Sequence, residues 1–105
     1  MYLYKAHPTV HKMLETEKIC SILKSHGARK IAIFGSVARG EARADSDVDV
    51  LVEFSDRKSL IDLVRVERKL SEALGMKADL LTEKCISPYL IEGIKKDMRV
   101  IYEKR

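Results

Sequence analysis

The amino-acid sequence predicts an α/β (α+β) fold in which helices pack on a small mixed β-sheet. Short apolar and β-branched runs, typical of strands, alternate with longer segments whose apolar residues recur at helical spacing. The link between the first two predicted strands is too short for a parallel crossover, so we expect those strands to be antiparallel. The predicted order is α-β-turn-β-α-β-α-β.

The first part of the chain supplies a helix, a strand and a turn. We expect a helix over residues 9–26 and a strand over residues 30–34. Gly35 and Ser36 break this strand, and residues 36–40 fit one helical turn with Ser36 as its cap. The predicted strand therefore runs directly into a tight turn.

Residues 47–54 form the second predicted strand, because polar and apolar residues alternate there. One face is entirely apolar, with Val48, Val50, Val52 and Phe54. The opposite face is mainly acidic, with Asp47, Asp49, Leu51 and Glu53. This pattern predicts a strand with one buried face.

The second half of the chain supplies two helices and two strands. A helix is expected over residues 59–74 and ends at Gly75. Its predicted apolar side consists of eight residues: Leu60, Ile61, Leu63, Val64, Val66, Leu70, Ala73 and Leu74. A third strand over residues 77–82, a shorter helix over 86–96 and a last strand over 98–103 complete the pattern.

Length and composition favour a single cytoplasmic domain. The 105 residues suit one core, so we expect residues 1–105 to form one domain. An apolar content of 46% argues against disorder. No apolar run approaches the roughly 20 residues of a membrane span, and the N-terminal sequence does not resemble a signal peptide.

Charge is unevenly distributed along the chain. The net charge is +4, yet residues 41–56 contain six acidic residues and one arginine. A mildly basic chain with one acidic block indicates a cation site within a surface that tolerates anions; a solvated acidic loop is the alternative. The six aromatic residues are scattered and form no base-stacking platform, which argues against direct nucleic-acid binding.

Asp47 and Asp49 are the first candidate catalytic residues. Two residues apart on a strand, they project from one face, separated by roughly 6.5–7 Å along the strand. Two carboxylates so placed can converge on one or two Mg²⁺ ions, which also take oxygen ligands from water and substrate phosphates. The mutual repulsion of the carboxylates favours a bound dication over a purely structural role.

Gly35 and Ser36 are candidate nucleotide-binding residues. A glycine permits close backbone approach to a ligand, and free N–H groups at the start of a helical turn attract anions. We expect this turn to hold the β- and γ-phosphates of a triphosphate. Arg39 follows one turn later and either contacts phosphate or pairs with Glu41 at the surface.

Asp79 is the third candidate acid. It lies within the third predicted strand between apolar neighbours, where an unpaired acid is costly to bury. We interpret it as a metal ligand or as the base that activates an acceptor hydroxyl. An acid on an edge strand, facing water, is the alternative.

These segments together resemble the DNA polymerase β nucleotidyltransferase superfamily. The signature is Gly35-Ser36, a gap of ten residues, and then Asp47 and Asp49 separated by one residue. The fuller string, GSVARGE over residues 35–41 with SDVD over 46–49, is similar to the minimal nucleotidyltransferases. Those proteins are the antitoxins of toxin–antitoxin pairs whose toxin is a HEPN-domain RNase.

The resemblance covers nearly all of the chain from Lys30 onward and implies an activity. It implies Mg²⁺ held at Asp47, Asp49 and Asp79, with ATP as the substrate bound at Gly35-Ser36. It also implies transfer of AMP onto the cognate HEPN-type toxin, typically at a tyrosine hydroxyl. Two other hypotheses stay open: an antitoxin that acts by tight binding alone, and a transferase for a small molecule or an RNA end.

Overall fold

The computed structural model describes residues 8–38 and 47–104, with the main chain alone for residues 8–15, 36 and 37. The elements occur in this order: α1 (Pro8–Ser25), β1 (Ala28–Phe34), α2 (Gly35–Ala38), β2 (Val48–Phe54), α3 (Leu60–Leu74), β3 (Ala78–Leu81), a 3₁₀ turn (Glu83–Cys85), α4 (Pro88–Asp97) and β4 (Arg99–Glu103). The predicted order is thus confirmed, and the 3₁₀ turn is an addition to it.

The four strands form one mixed sheet in the order β3-β2-β1-β4. β1 pairs antiparallel with both β2 and β4, whereas β2 and β3 are parallel. The antiparallel pairing predicted for the first two strands is therefore confirmed, as is the α+β class. The parallel pair follows from the crossover through α3, which returns the chain to the end of the sheet at which β2 begins.

The larger core lies on one face of the sheet, beneath α1 and α3. It consists of buried apolar side chains from both helices and from the strands: Ile19, Leu23, Ala28, Ile31, Ile33, Ala38, Val48, Val50, Val52, Val66, Leu70, Leu74, Ala78 and Leu80. The apolar face predicted for β2 contributes three of its valines to this core, which confirms the alternation.

A smaller core lies on the other face of the sheet. Ala32, Phe34 and Leu51 are buried there against the inner side of α4, which supplies Ile91 and Ile94. The prediction that β2 has only one buried face is therefore wrong at its centre. Leu51 interrupts the acidic pattern because α4 covers the middle of this face.

Helix α3 is delimited by its caps. The Ser59 hydroxyl accepts a hydrogen bond from the backbone N–H of Asp62, and the Asp62 carboxylate accepts one from the backbone N–H of Ser59. The second of these bonds lowers the pKa of the Asp62 carboxyl, because it favours the ionised form. Gly75 ends the helix in the left-handed conformation, with φ of 69°.

The apolar side predicted for α3 is narrower than the sequence suggested. Val66, Leu70 and Leu74 are buried along one stripe, and Leu63 packs at its margin. Four of the eight predicted residues are instead exposed to solvent: Leu60, Ile61, Val64 and Ala73. They lie outside the stripe that faces the sheet, so the prediction was wrong for these four residues.

Helix α3 also closes the β3 edge of the sheet. The backbone N–H of Ala78 donates to the Ser71 hydroxyl at 2.9 Å, and that of Leu80 donates to Glu67 Oε2 at 2.8 Å. These two N–H groups point away from β2 and would otherwise be free to pair with a foreign strand. The helix side chains therefore block strand addition at this edge.

Most predicted boundaries differ from the observed ones by one or two residues, and two of the differences have a local cause. α2 begins at Gly35, so Ser36 lies within the turn instead of capping it, and residues 39 and 40 fall outside the described residues. α4 begins at Pro88 rather than at residue 86, because Ser87 caps it and accepts a hydrogen bond from the N–H of Tyr89. Within the described ranges, no helix has the length and apolar character to span a bilayer.

Truncating the buried Leu70 should destabilise the protein more than truncating an exposed leucine. Leu70 is fully buried, so Leu70→Ala should cost about 2–5 kcal/mol in the free energy of unfolding. Leu90→Ala, on the exposed side of α4, should cost less than about 0.5 kcal/mol beyond helix propensity. Urea denaturation of both variants measures the difference, and equal losses would show that the core is misassigned.

Candidate active site

The candidate site lies at one end of the sheet face that α4 partly covers. Strand alternation places Asp49 on the same face as buried Leu51, two residues nearer the start of β2. Asp47 precedes β2 by one residue and belongs to the same alternation. Both aspartates are half-buried. The acidic end of β2 therefore lies next to the apolar part of this face.

Asp79 lies beside Asp49 in the neighbouring strand. The two residues are direct register partners in the parallel pairing of β2 with β3. Neighbouring strands are about 4.7–4.9 Å apart, and residues in register project to the same face. The structure thus brings two of the three predicted acids together from positions thirty residues apart in the sequence.

The end of this strand pair is fixed by a main-chain contact. The N–H of Val48 donates to the carbonyl of Lys77 at 3.0 Å, which places Asp47 and Lys77 at the same end of the two strands. Asp49 of β2 and Asp79 of β3 therefore lie at the same end of the sheet as Asp47, which immediately precedes β2.

Gly35 brings the glycine–serine turn against the acidic strand. β1 ends at Phe34, whose register partner in β2 is Asp49. Gly35 follows with φ of +77°, a conformation that favours glycine. A Cβ atom at this position would clash with Asp49 Oδ2 and lie 3.2 Å from Asp49 Cγ. The absence of a side chain at Gly35 is what leaves room for the Asp49 carboxylate.

Lys77 is a cation of the site that the sequence analysis missed. Its Nζ lies 3.9 Å from Asp79 Oδ1, and the two side chains are 69% and 35% exposed. Exposed pairs of this kind contribute little to stability, so the contact mainly places a positive charge beside Asp79. The signal was present in the sequence, since residues two apart on a strand share a face.

Two predicted nucleotide-binding residues remain, Ser36 and Arg39, together with Glu53 on the acidic face of β2. The main chain of Ser36 is in α2, next to Gly35, whereas Arg39 lies outside the described residues. Glu53, the last acid on this face of β2, is exposed and hydrogen-bonds to Arg29, whose Nε lies 2.8 Å from Glu53 Oε2. Glu53 is thus a surface ion-pair residue at the far end of the strand.

The donor set suits a hard divalent cation in an open site. Aspartate oxygens are the ligands that Mg²⁺ prefers, and Mg²⁺ usually completes its shell with water and substrate phosphate. Among the residues that the structure describes, no group of three or more His, Cys, Asp or Glu side chains is placed to hold a metal ion, and this includes the predicted set of Asp47, Asp49 and Asp79. The oxygen donors that the structure does bring together are the register partners Asp49 and Asp79.

Sequence comparison relates this chain to known enzymes. Residues 16–101 match the model of the family described as the nucleotidyltransferase domain. A Methanocaldococcus jannaschii protein, provisionally named a protein adenylyltransferase, is 49% identical over 77 residues, which cover 73% of this chain and 83% of the relative. The protein adenylyltransferase MntA of Thermococcus cleftensis is 36% identical over 94 residues, covering 82% and 95% of the two chains.

A solved structure shows the same fold. A toxin–antitoxin crystal structure with AMP-PNP superposes with a TM-score of 0.78 at 24% identity, covering 86% of this chain and 74% of that one. Because the family model spans residues 16–101 and the two relatives are matched over more than four-fifths of their length, the chain belongs to the nucleotidyltransferase domain family.

Proposed function

We propose that this single-domain protein is an antitoxin that transfers AMP from ATP onto a protein acceptor, a tyrosine of a cognate HEPN-family RNase toxin. The observation that carries the proposal is the register pairing of Asp49 with Asp79 beside Gly35. This arrangement joins an acidic site suited to a divalent cation with a turn suited to phosphate.

The relatives support the choice of substrate and acceptor. Their names specify adenylyl transfer to protein, which makes ATP the expected donor. A structural neighbour from Shewanella oneidensis, with a TM-score of 0.72 and 22% identity over 88% of this chain and 72% of that one, is an MNT antitoxin in complex with a tri-AMPylated HEPN toxin. A toxin of that class is therefore the acceptor that we propose.

In the proposed reaction, Asp47 and Asp49 hold Mg²⁺ and the Gly35-Ser36 turn holds the β- and γ-phosphates. Mg²⁺ held there would supply positive charge that lowers the barrier to an in-line displacement at phosphorus. The acceptor oxygen forms a bond to the α-phosphorus, the bond to the β-phosphate bridging oxygen breaks, and pyrophosphate leaves. Arg39 contacts phosphate or stays at the surface.

Asp79 has two possible roles in this scheme. Its position next to Asp49 suits a further metal ligand, and it equally suits the base that accepts the proton of the acceptor hydroxyl. Lys77 Nζ, 3.9 Å from Asp79 Oδ1, places a positive charge beside this carboxylate in either role.

We expect Asp49→Asn to abolish transfer without unfolding the protein. The loss should be about 10²–10³-fold, because metal-ion stabilisation is worth several kcal/mol and each factor of ten corresponds to about 1.4 kcal/mol. The measurement is the intact mass of the purified partner after incubation with ATP and Mg²⁺, which should rise by one AMP per modified hydroxyl with the wild-type chain.

Glu53→Gln is the matched control for that experiment. It removes a carboxylate from the same face of β2 but at the exposed end, so transfer should continue at the wild-type rate. Transfer by Asp49→Asn at the wild-type rate would refute the assignment. A stable complex whose partner gains no mass, even with the wild-type chain, would instead identify an antitoxin that acts by binding alone.

We expect Gly35→Ala to impair both stability and transfer. The positive φ should cost about 1–2 kcal/mol in a residue with a side chain, and the new methyl group would displace the Asp49 carboxylate. Gly93→Ala is the control, since nothing lies within 4 Å of its added Cβ and alanine favours the α4 helix. Thermal melts and transfer rates for both variants test this, and a fully active Gly35→Ala would show that the close approach is unnecessary.

A further inference from the structure

An apolar surface lies at the start of α3. Leu60, Ile61 and Val64 are 74%, 66% and 54% exposed on its first two turns. Leu60 also lines a groove of about 560 Å³, together with half-buried Phe54 and Leu63. The groove runs between α3 and the 3₁₀ turn, and we call these five residues the α3 patch. Contiguous exposed apolar surface of this kind is typical of an interaction site.

The charges around the α3 patch are predominantly positive. The three acids that line the groove are paired: Asp56 with Lys58 at 3.3 Å, Glu83 with Lys95 at 3.2 Å, and Glu53 with Arg29. Asp62 caps α3 through its hydrogen bonds with Ser59. Arg57 and Arg68 are exposed, and neither forms a salt bridge with an acid in the described part of the chain. An occupant with both apolar and acidic side chains is therefore complementary to this surface.

The surrounding structure restricts the form of the occupant. Strand addition at the nearby β3 edge is blocked, because Ser71 and Glu67 already accept hydrogen bonds from the outward N–H groups. A second copy of the chain placed patch to patch would bring two surfaces of the same positive charge together, which is unfavourable. An amphipathic helix of a different protein meets neither obstacle, and such helices dock their apolar face into hydrophobic grooves.

We propose that the α3 patch is a docking surface for an acidic amphipathic helix of a partner protein. The surface lies on the α3 side of the sheet, beyond the end of β2 at Phe54, whereas the candidate active site lies on the α4 side at the start of β2. The seven residues of β2 separate the two sites by roughly 20 Å. A helix docked on the α3 patch therefore leaves the site at Asp49 accessible.

Docking is independent of the proposed transfer reaction, because no residue of the α3 patch belongs to the candidate active site. An experiment can therefore refute docking on the α3 patch without refuting AMP transfer, and the reverse. Asp49→Asn should lose transfer yet bind a docked helix as the wild-type chain does. A partner held in this way would stay bound before and after AMP transfer.

Two synthetic peptides test the proposal by fluorescence anisotropy with the full chain. Both are amphipathic helices of about 20 residues with leucine at positions a and d of each heptad, and their polar positions carry glutamate in one and lysine in the other. The acidic peptide should bind at least about tenfold more tightly than the basic one. The double variant Arg57→Glu/Arg68→Glu should reverse that preference.

Apolar substitutions provide the matched comparison. Ile61→Ser/Val64→Ser should weaken binding of the acidic peptide by at least about tenfold. Tyr89→Ser/Leu90→Ser changes two exposed large side chains on α4 and should leave binding unchanged. All of these side chains are exposed, and circular dichroism melts should show that each variant keeps the wild-type fold.

Several results would overturn the proposal. Equal affinity for the acidic and basic peptides would mean that charge plays no part, and equal losses in the two serine double variants would mean that the α3 patch is not the binding surface. Binding of anionic phosphatidylserine vesicles, together with failure to bind the acidic peptide, would assign the surface to a membrane. Binding of neither probe would likewise contradict docking at this position.

Discussion

The register of β2 against β3 is the constraint on which the candidate site depends. It sets Asp49 and Asp79 side by side on one face of the sheet, although their negative charges repel at this separation. The main-chain hydrogen bonds of the sheet, including the one from Val48 to Lys77, hold the two acids in place. Two carboxylates held side by side are the kind of oxygen donors that a divalent cation takes, which the proposed function requires.

One face of the sheet contains the larger core, and the other contains the candidate site. One face is covered by α1 and α3 and contains most of the buried apolar side chains. The other face is covered by α4 only over its centre, which leaves the acidic end of β2 next to Gly35. The same division leaves the first turns of α3 exposed, because the helix buries its apolar stripe through Val66, Leu70 and Leu74.

Local sequence patterns predicted most of the fold. The alternation in β2, the apolar periodicity of α3 and the glycine at its end each depend on neighbouring residues, and each was found. The exposure of Leu60, Ile61 and Val64 was missed because periodicity identifies apolar residues but does not indicate how wide a stripe the sheet covers. The burial of Leu51 was missed because it depends on α4, almost forty residues away.

The sequence names the candidate site residues but does not indicate their arrangement. Asp47, Asp49 and Gly35 were identified from a motif, whereas the pairing of Asp49 with Asp79 and the contact of Gly35 with Asp49 are tertiary features. Lys77 was overlooked although its spacing of two residues from Asp79 on a predicted strand places both on one face. Arg39 and the side chain of Ser36 lie outside what the structure describes, so their roles stay predictions.

Binding of Mn²⁺ in the presence of AMP-PNP, followed by electron paramagnetic resonance, tests most directly whether Asp49 holds a divalent ion. The wild-type chain and Glu53→Gln should bind Mn²⁺ with the same affinity, whereas Asp49→Asn should bind it at least about tenfold more weakly. Asp79→Asn should weaken Mn²⁺ binding if Asp79 is a metal ligand and should leave it unchanged if Asp79 is the base. Undiminished Mn²⁺ binding by Asp49→Asn would contradict the metal site at the start of β2.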